Sequence, residues 1–249
     1  MSISLRRRSL ALLAALAAAL GLLAAAGPAA ARASSGMTHA PLRRLVHATS
    51  TNWAGWDNTG STYTSVSASW VQPTVTCAKR QTSYSSFWVG LDGDGSNSVE
   101  QTGSEGDCQR GKAVYYSWYE FYPAYPVNFS NTVQPGDHFS ASVTSNGGGS
   151  YTLVLTDSTQ NWSHTVNGSA PGAQNASAEV IAEAPSSNRG VLPLANFGTV
   201  AFSNATVDGA ALGTVPTPQK ITMATTSYTK ASVSNLTNNN AFTVTWQHS

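Results

Sequence analysis

The chain has 249 residues, 41% hydrophobic and only 10% charged, with 13 Lys+Arg against 12 Asp+Glu. Six of those cations (Arg6, Arg7, Arg8, Arg32, Arg43 and Arg44) precede position 47, so the remainder carries seven cations against twelve acids. Scattered cations on an acidic body exclude the basic patch that a phosphate backbone requires, and nucleic acid is not an expected partner.

Arg6, Arg7 and Arg8 lead into an Ala/Leu run from Leu10 to Ala26, followed by A-x-A cleavage options at Ala31 and Ala33. That pattern predicts a secretory leader over residues 1–33, since a spanning helix needs about 20 apolar residues with suitable flanks. The product is expected to be secreted and extracellular, with no membrane contact after the leader is cut. Residues 34–50 are polar, hold two of the five histidines and the Arg43-Arg44 pair, and show no strand alternation. They read as a short propeptide or linker whose arginines sit against an acidic groove.

Residues 51–249 form the expected catalytic domain, long enough for one all-β unit to bury a sizeable core. Their Ser, Thr, Val, Tyr, Trp, Gly and Asn content suits strands and turns, and no helix is predicted. Strand candidates follow in order at 65–72, 83–92, 113–123, 138–146, 150–157, 161–168, 177–184, 195–207, 220–227 and 241–247. Explicit turn chemistry at Pro135-Gly136-Asp137 and Asn146-Gly147-Gly148-Gly149 separates some of them. Many short strands joined by turns mean an antiparallel sandwich or barrel. Cys77 and Cys108 are the only cysteines, and an even count in an exported chain predicts one disulfide.

Several catalytic solutions are struck out by inventory: there is no HExxH, no Cys/His cluster with zinc spacing, no G-x-S-x-G elbow and no D-T-G or D-S-G loop. No metal or other cofactor is expected. Strand alternation instead places Trp88, Gly90 and Asp92 on one face and Phe87, Val89 and Leu91 on the other. It likewise groups Tyr116, Trp118, Glu120 and Tyr122, and it sets Glu179, Ile181 and Glu183 opposite Ala178, Val180 and Ala182. Periodicity alone leaves these groups open. The aromatic row could be plain packing, and the glutamates could be solvated charges.

The residues TNWAGW at 51–56, FWVGLDGD at 87–94, VEQTG at 99–103, WYEFYP at 118–123 and AEVIAE at 178–183 resemble the glutamic peptidases, or eqolisins. The resemblance implies two large antiparallel sheets packed as a bent, concanavalin-like or jelly-roll-like sandwich, with a peptide groove on the concave face. It implies acid endopeptidase activity on protein or peptide substrates by a Gln101/Glu183 dyad, in which Glu183 is base and acid and Gln101 positions water and stabilises the oxyanion. Trp53, Trp88, Asp92, Glu120 and Tyr122 match positions that line or support the family's site, and Glu179 matches its non-catalytic first Glu. A monomer is expected.

Three departures from that pattern bear on the site. Tyr116 stands where fungal members have Asp, and Ser104-Glu105 replaces an aromatic-Asp pair. Val180 replaces an aromatic, which predicts a more open wall beside Glu183. Two other readings compete: a carbohydrate-binding sandwich stacking sugars on Trp118, Tyr119, Tyr122 and Tyr125, and a glycoside hydrolase pairing Glu120 with Glu183.

Overall fold

A computed structural model describes residues 32–33, 36–46 and 48–249. The predicted leader lies outside them except for Arg32–Ala33, which pair antiparallel with Val127–Asn128. Two sheets build the domain, as the alternation implies. In the first, the strand Pro218–Ala224 is followed in space by Trp53–Thr59, Ser177–Glu183, Ser86–Leu91, Val99–Gln109 and Lys112–Tyr122. In the second the order is Trp162–Ser169, Ser150–Asp157, His138–Gly147, Ser65–Val71, Thr199–Val207, Phe242–Trp246 and Thr229–Val233. Pro218–Ala224 belongs to both, pairing with the Trp53 strand through residues 218–221 and with Thr229–Val233 through Met223 and Ala224. Among the described residues the one helical piece is the 3-10 turn Leu212–Thr214.

The sheets pack through their inward rows. Phe87, Val89, Leu91, Ala178, Val180 and Ala182 from the first meet Trp70, Phe139, Leu153, Leu155, Phe202 and Val244 from the second in one buried cluster. Burying apolar side chains from both faces at about 25 cal/mol per Å2 is what holds a sandwich closed. Cys77 and Cys108 are disulfide-bonded with Cα atoms 5.5 Å apart, as their count predicts.

Besides short two- and three-residue strands such as Arg44–Val46 and Thr49–Ser50, three longer strands were not anticipated: Trp53–Thr59, Thr229–Val233 and Val99–Gln109. The last reads VEQTGSEGDCQ and has no apolar alternation, yet ten of its eleven residues are buried. It is an interior strand of the first sheet, covered on both sides. Its inward row contains Ser104, whose hydroxyl accepts from Trp70 Nε1 at 2.9 Å, and the disulfide-bonded Cys108. The outward row carries Gln101, Gly103, Glu105 and Asp107.

Candidate active site

Register aligns the outward face of the first sheet into rows. One row runs Trp53, Glu183, Ser86, Glu105, Tyr116; the next Gly55, Ile181, Trp88, Gly103, Trp118; the third Asp57, Glu179, Gly90, Gln101, Glu120. Gln101 and Glu183 therefore sit diagonally, two strands and two rows apart, across the Trp88 row. Two glycines keep that face clear. A Cβ on Gly103 would lie 2.5 Å from Trp88 Cβ, and one on Gly90 would lie 2.9 Å from the Trp88 ring.

Trp53, Trp88, Trp118 and Ile181 form a second buried cluster on this face. At roughly 25 cal/mol per Å2 and about 200 Å2 per ring, each indole contributes on the order of 5 kcal/mol in gross terms, which offsets the burial of polar neighbours. Trp88 Nε1–H donates to Glu183 Oε2 at 2.9 Å, while the Trp53 and Trp88 rings meet edge to face at 5.0 Å.

The segment 36–44, expected to be a propeptide or linker, lies directly over this face. Thr38 and Ser186 exchange both backbone hydrogen bonds at 2.9 Å. Trp53 Nε1–H donates to the Ala40 carbonyl at 3.0 Å, and Asn52 Nδ2 donates to the Ala40 and Pro41 carbonyls at 3.2 Å. Of the two arginines expected to hold the segment, Arg44 pairs with Asp94, whereas Arg43 contributes its backbone N–H to Asn52 Oδ1 at 2.8 Å.

His39 is the centre of this contact. Its imidazole stacks on Trp118 with centroids 3.6 Å apart and planes 4° apart. Nδ1 lies 3.0 Å from Ser86 Oγ and 3.5 Å from Glu183 Oε2, and Nε2 lies 3.3 Å from Glu105 Oε1. The His39 backbone N–H donates to Glu120 Oε2 at 3.0 Å. Gln101 Nε2 donates to the His39 carbonyl at 2.6 Å and to Glu120 Oε2 at 3.1 Å. Sequence reasoning missed His39, Asn52, Ser86, Glu105 and Asp107. Asn52 stood inside TNWAGW and Glu105 was noted only as a departure.

Burial governs the electrostatics. It pushes Glu183, Glu120 and Glu105 well above the ordinary carboxylate range, Asp107 beside Glu105 adding to the effect there, and it raises Asp107 to about 7. It holds the His39 imidazole well below its usual value. At Glu183 the donors Trp88, Asn52, the Ala40 backbone N–H and Trp53 oppose the burial and favour the ionised form.

Residues 51–246 match the peptidase A4 family. The chain belongs to that family. It is a glutamic-type endopeptidase, and the eqolisin resemblance of its motifs is borne out. Aspergillopepsin-2 of Aspergillus niger is 33% identical over 189 residues, covering 66% of this chain and 67% of the relative. A crystal structure of scytalido-glutamic peptidase with a transition state analog inhibitor superposes with a TM-score of 0.69 at 25% identity, covering 79% of this chain and 98% of that one. The aspergilloglutamic peptidase structure from Aspergillus niger gives 0.59 at 27% identity, over 66% and 99% of the two chains.

Within this peptidase A4 chain, the residues taken from the resemblance fall into three groups. Gln101, Glu183, Trp53, Trp88 and Glu120 come together under the segment 36–44. Tyr122 packs on the edge of the tryptophan cluster and lines a cavity of about 290 Å3 with Pro123, Tyr125 and Arg43. Asp92 stands in a supporting place: at φ 69° it turns its carboxylate to the backbone N–H groups of Gln174, Asn175 and Ala176 at 3.0, 2.8 and 2.9 Å, clamping that loop.

One correction concerns Val180, which points into the inter-sheet core, so its size does not open the wall beside Glu183. That wall is Trp53, Trp88 and Asn52. Tyr116 does not break the carboxyl network either, because its hydroxyl donates to Asp107 Oδ2 at 3.1 Å. Glu179 pairs in register with Asp57, one row beyond the tryptophans.

Proposed function

We propose that this peptidase is an exported acid endopeptidase working through Gln101 and Glu183. The observation that carries the reading is a single peptide group, His39–Ala40, lying between the two side chains. Its carbonyl accepts from Gln101 Nε2 at 2.6 Å, and its N–H faces the Glu183 carboxyl. A protein peptide bond held in that way has an oxyanion donor on one end and a proton source on the other.

The chemistry follows from these positions. Glu183 as carboxylate takes a proton from a water, and the hydroxide adds to the carbonyl carbon. The oxygen becomes an oxyanion that Gln101 Nε2–H stabilises. Glu183 then gives the proton to the nitrogen as the C–N bond breaks. Gln101 Oε1 and Glu183 Oε1 are buried without a hydrogen-bond partner among the described residues, and they are suited to accept from that water. Glu120 holds the Gln101 amide in orientation.

An acidic working range keeps the neighbouring carboxyls protonated: Glu105, Asp107 and Glu120 cannot all ionise beside Glu183 without mutual repulsion, while the donors around Glu183 favour its ionised form against the burial. The leader pattern and the disulfide support export.

The competing readings fit the geometry less well. Trp118 is fully buried, and Tyr119 packs against the inter-sheet core on the opposite face, which leaves no continuous sugar platform. At acidic pH the protein is expected to release peptides from a denatured protein and nothing from soluble polysaccharide. Gln101→Ala is expected to lower the rate by about 100-fold or more with the fold retained. Sugar release, or an unimpaired Gln101→Ala, would overturn the reading.

A further inference from the structure

We infer that the His39–Ala40 bond is the peptidase's own first substrate, cut in cis to leave Ala40 as a new N-terminus. The inference rests on the proposed dyad and goes beyond it, since it assigns one particular bond.

Three features make residues 38–44 a seated substrate and not merely a cover. On the acyl side, Thr38 and Ser186 exchange both backbone hydrogen bonds, so the chain lies extended as one added antiparallel bridge. The next residue, His39, fills a fitted recess: an indole face stacks on its ring, and a serine hydroxyl and a glutamic acid meet its two nitrogens at the ring edge. On the amine side, Asn52 and Trp53 grip the Ala40 and Pro41 carbonyls, and Leu42 N–H donates to the Gly93 carbonyl at 3.0 Å. Both flanks are thus fixed by backbone contacts, and the bond between them is the one spanned by Gln101 and Glu183. A reacting bond fixed on both sides gains the proximity advantage of an intramolecular reaction.

The step balances with water as the only co-reactant. Its hydroxide forms the new bond to the His39 carbonyl carbon, and its proton passes through Glu183 to the Ala40 nitrogen as the C–N bond breaks. The products are a His39 carboxyl group and a free Ala40 amine.

The test uses the full chain, purified at neutral pH and shifted to acid, followed by intact mass and N-terminal sequencing. The expected product begins at Ala40, on isolation or after the shift, and its first-order rate constant is unchanged by dilution. Glu183→Gln is expected to keep residues N-terminal to position 40. Ala40→Pro leaves the dyad in place but removes the N–H that Glu183 faces, and it is expected to abolish cutting at this bond. A wild-type chain that digests added denatured protein while keeping its His39–Ala40 bond overturns this inference and leaves the proposed function standing. So does a rate that rises with concentration. If the wild type cuts neither itself nor added protein, the proposed function falls and this inference with it.

Discussion

The two sheets present opposite kinds of outward face. On the second sheet, the strand Trp162–Ser169 alternates between half-buried and exposed residues, and Ser163, Thr165 and Asn167 meet solvent. On the first sheet the outward rows hold Trp53, Trp88, Trp118, Gln101, Glu105, Glu120, Glu179 and Glu183, and every one is buried to within 1%. Both faces come from the same two-residue period. The difference is what covers them: water on one, and the chain's own residues 36–44 on much of the other. Polar residues on the solvated face cost nothing, whereas carboxyls on the covered face must be held protonated or hydrogen-bonded.

The largest expected consequence falls on stability against pH, and it should arise mainly from the first sheet. Glu100 is raised to about 8 and Asp107 to about 7, both by burial, and Glu105, Glu120, Glu179 and Glu183 are raised in the same direction for the same reason. The folded protein therefore keeps protons that the unfolded chain releases near its ordinary carboxylate values. Stability is full below those ordinary values and falls as pH rises through the raised ones, by about 1.4 kcal/mol per pH unit for each group in its window. His39, lowered by burial, works the other way below its usual value. Melting temperature measured from pH 3 to 9 should decline toward the alkaline end. A melting temperature that climbs across that range would break the comparison, because the covered carboxyls would then be ionised in the folded state.

A smaller effect sharpens it from the other side. The Cys77–Cys108 bridge closes a separation of 31 residues that contains Trp88 and Gln101. Losing it through Cys77→Ala/Cys108→Ala should cost about 3 to 4 kcal/mol in the chain-entropy picture, read as a lower denaturant midpoint. Unaltered stability would show that these strands need no staple.

The contrast between the faces also explains which parts were legible in the sequence. Strands of the second sheet such as SYTLVLTD alternate apolar with polar, and their bounds were read correctly. Faces were legible even in the first sheet wherever one row was apolar: Phe87, Val89 and Leu91 fell inward, as alternation requires. The strand Val99–Gln109 was not legible, because its outward row is amide, glycine and carboxyl and its inward row includes Ser104, Gly106 and Cys108. Gln101 was found through the Q-T-G motif and not through any periodicity. The loop that Asp92 holds was not legible, because its partners, 82 to 84 residues away in the chain, leave no local signal. His39 escaped for a similar reason, since a histidine in a polar segment gives no hint of the Trp118 ring it stacks on.

The most direct measurement of the central claim compares kcat/KM at acidic pH for Glu183→Gln and Glu179→Gln, with a thermal melt of each. The two glutamates share one strand face four residues apart, both are fully buried and both are raised by burial, yet only Glu183 faces the His39–Ala40 peptide group. Glu183→Gln should lose about 100-fold or more while still folding, and Glu179→Gln should lose far less. Near wild-type rates in Glu183→Gln, or a dead Glu179→Gln that still folds, would contradict the assignment of the base.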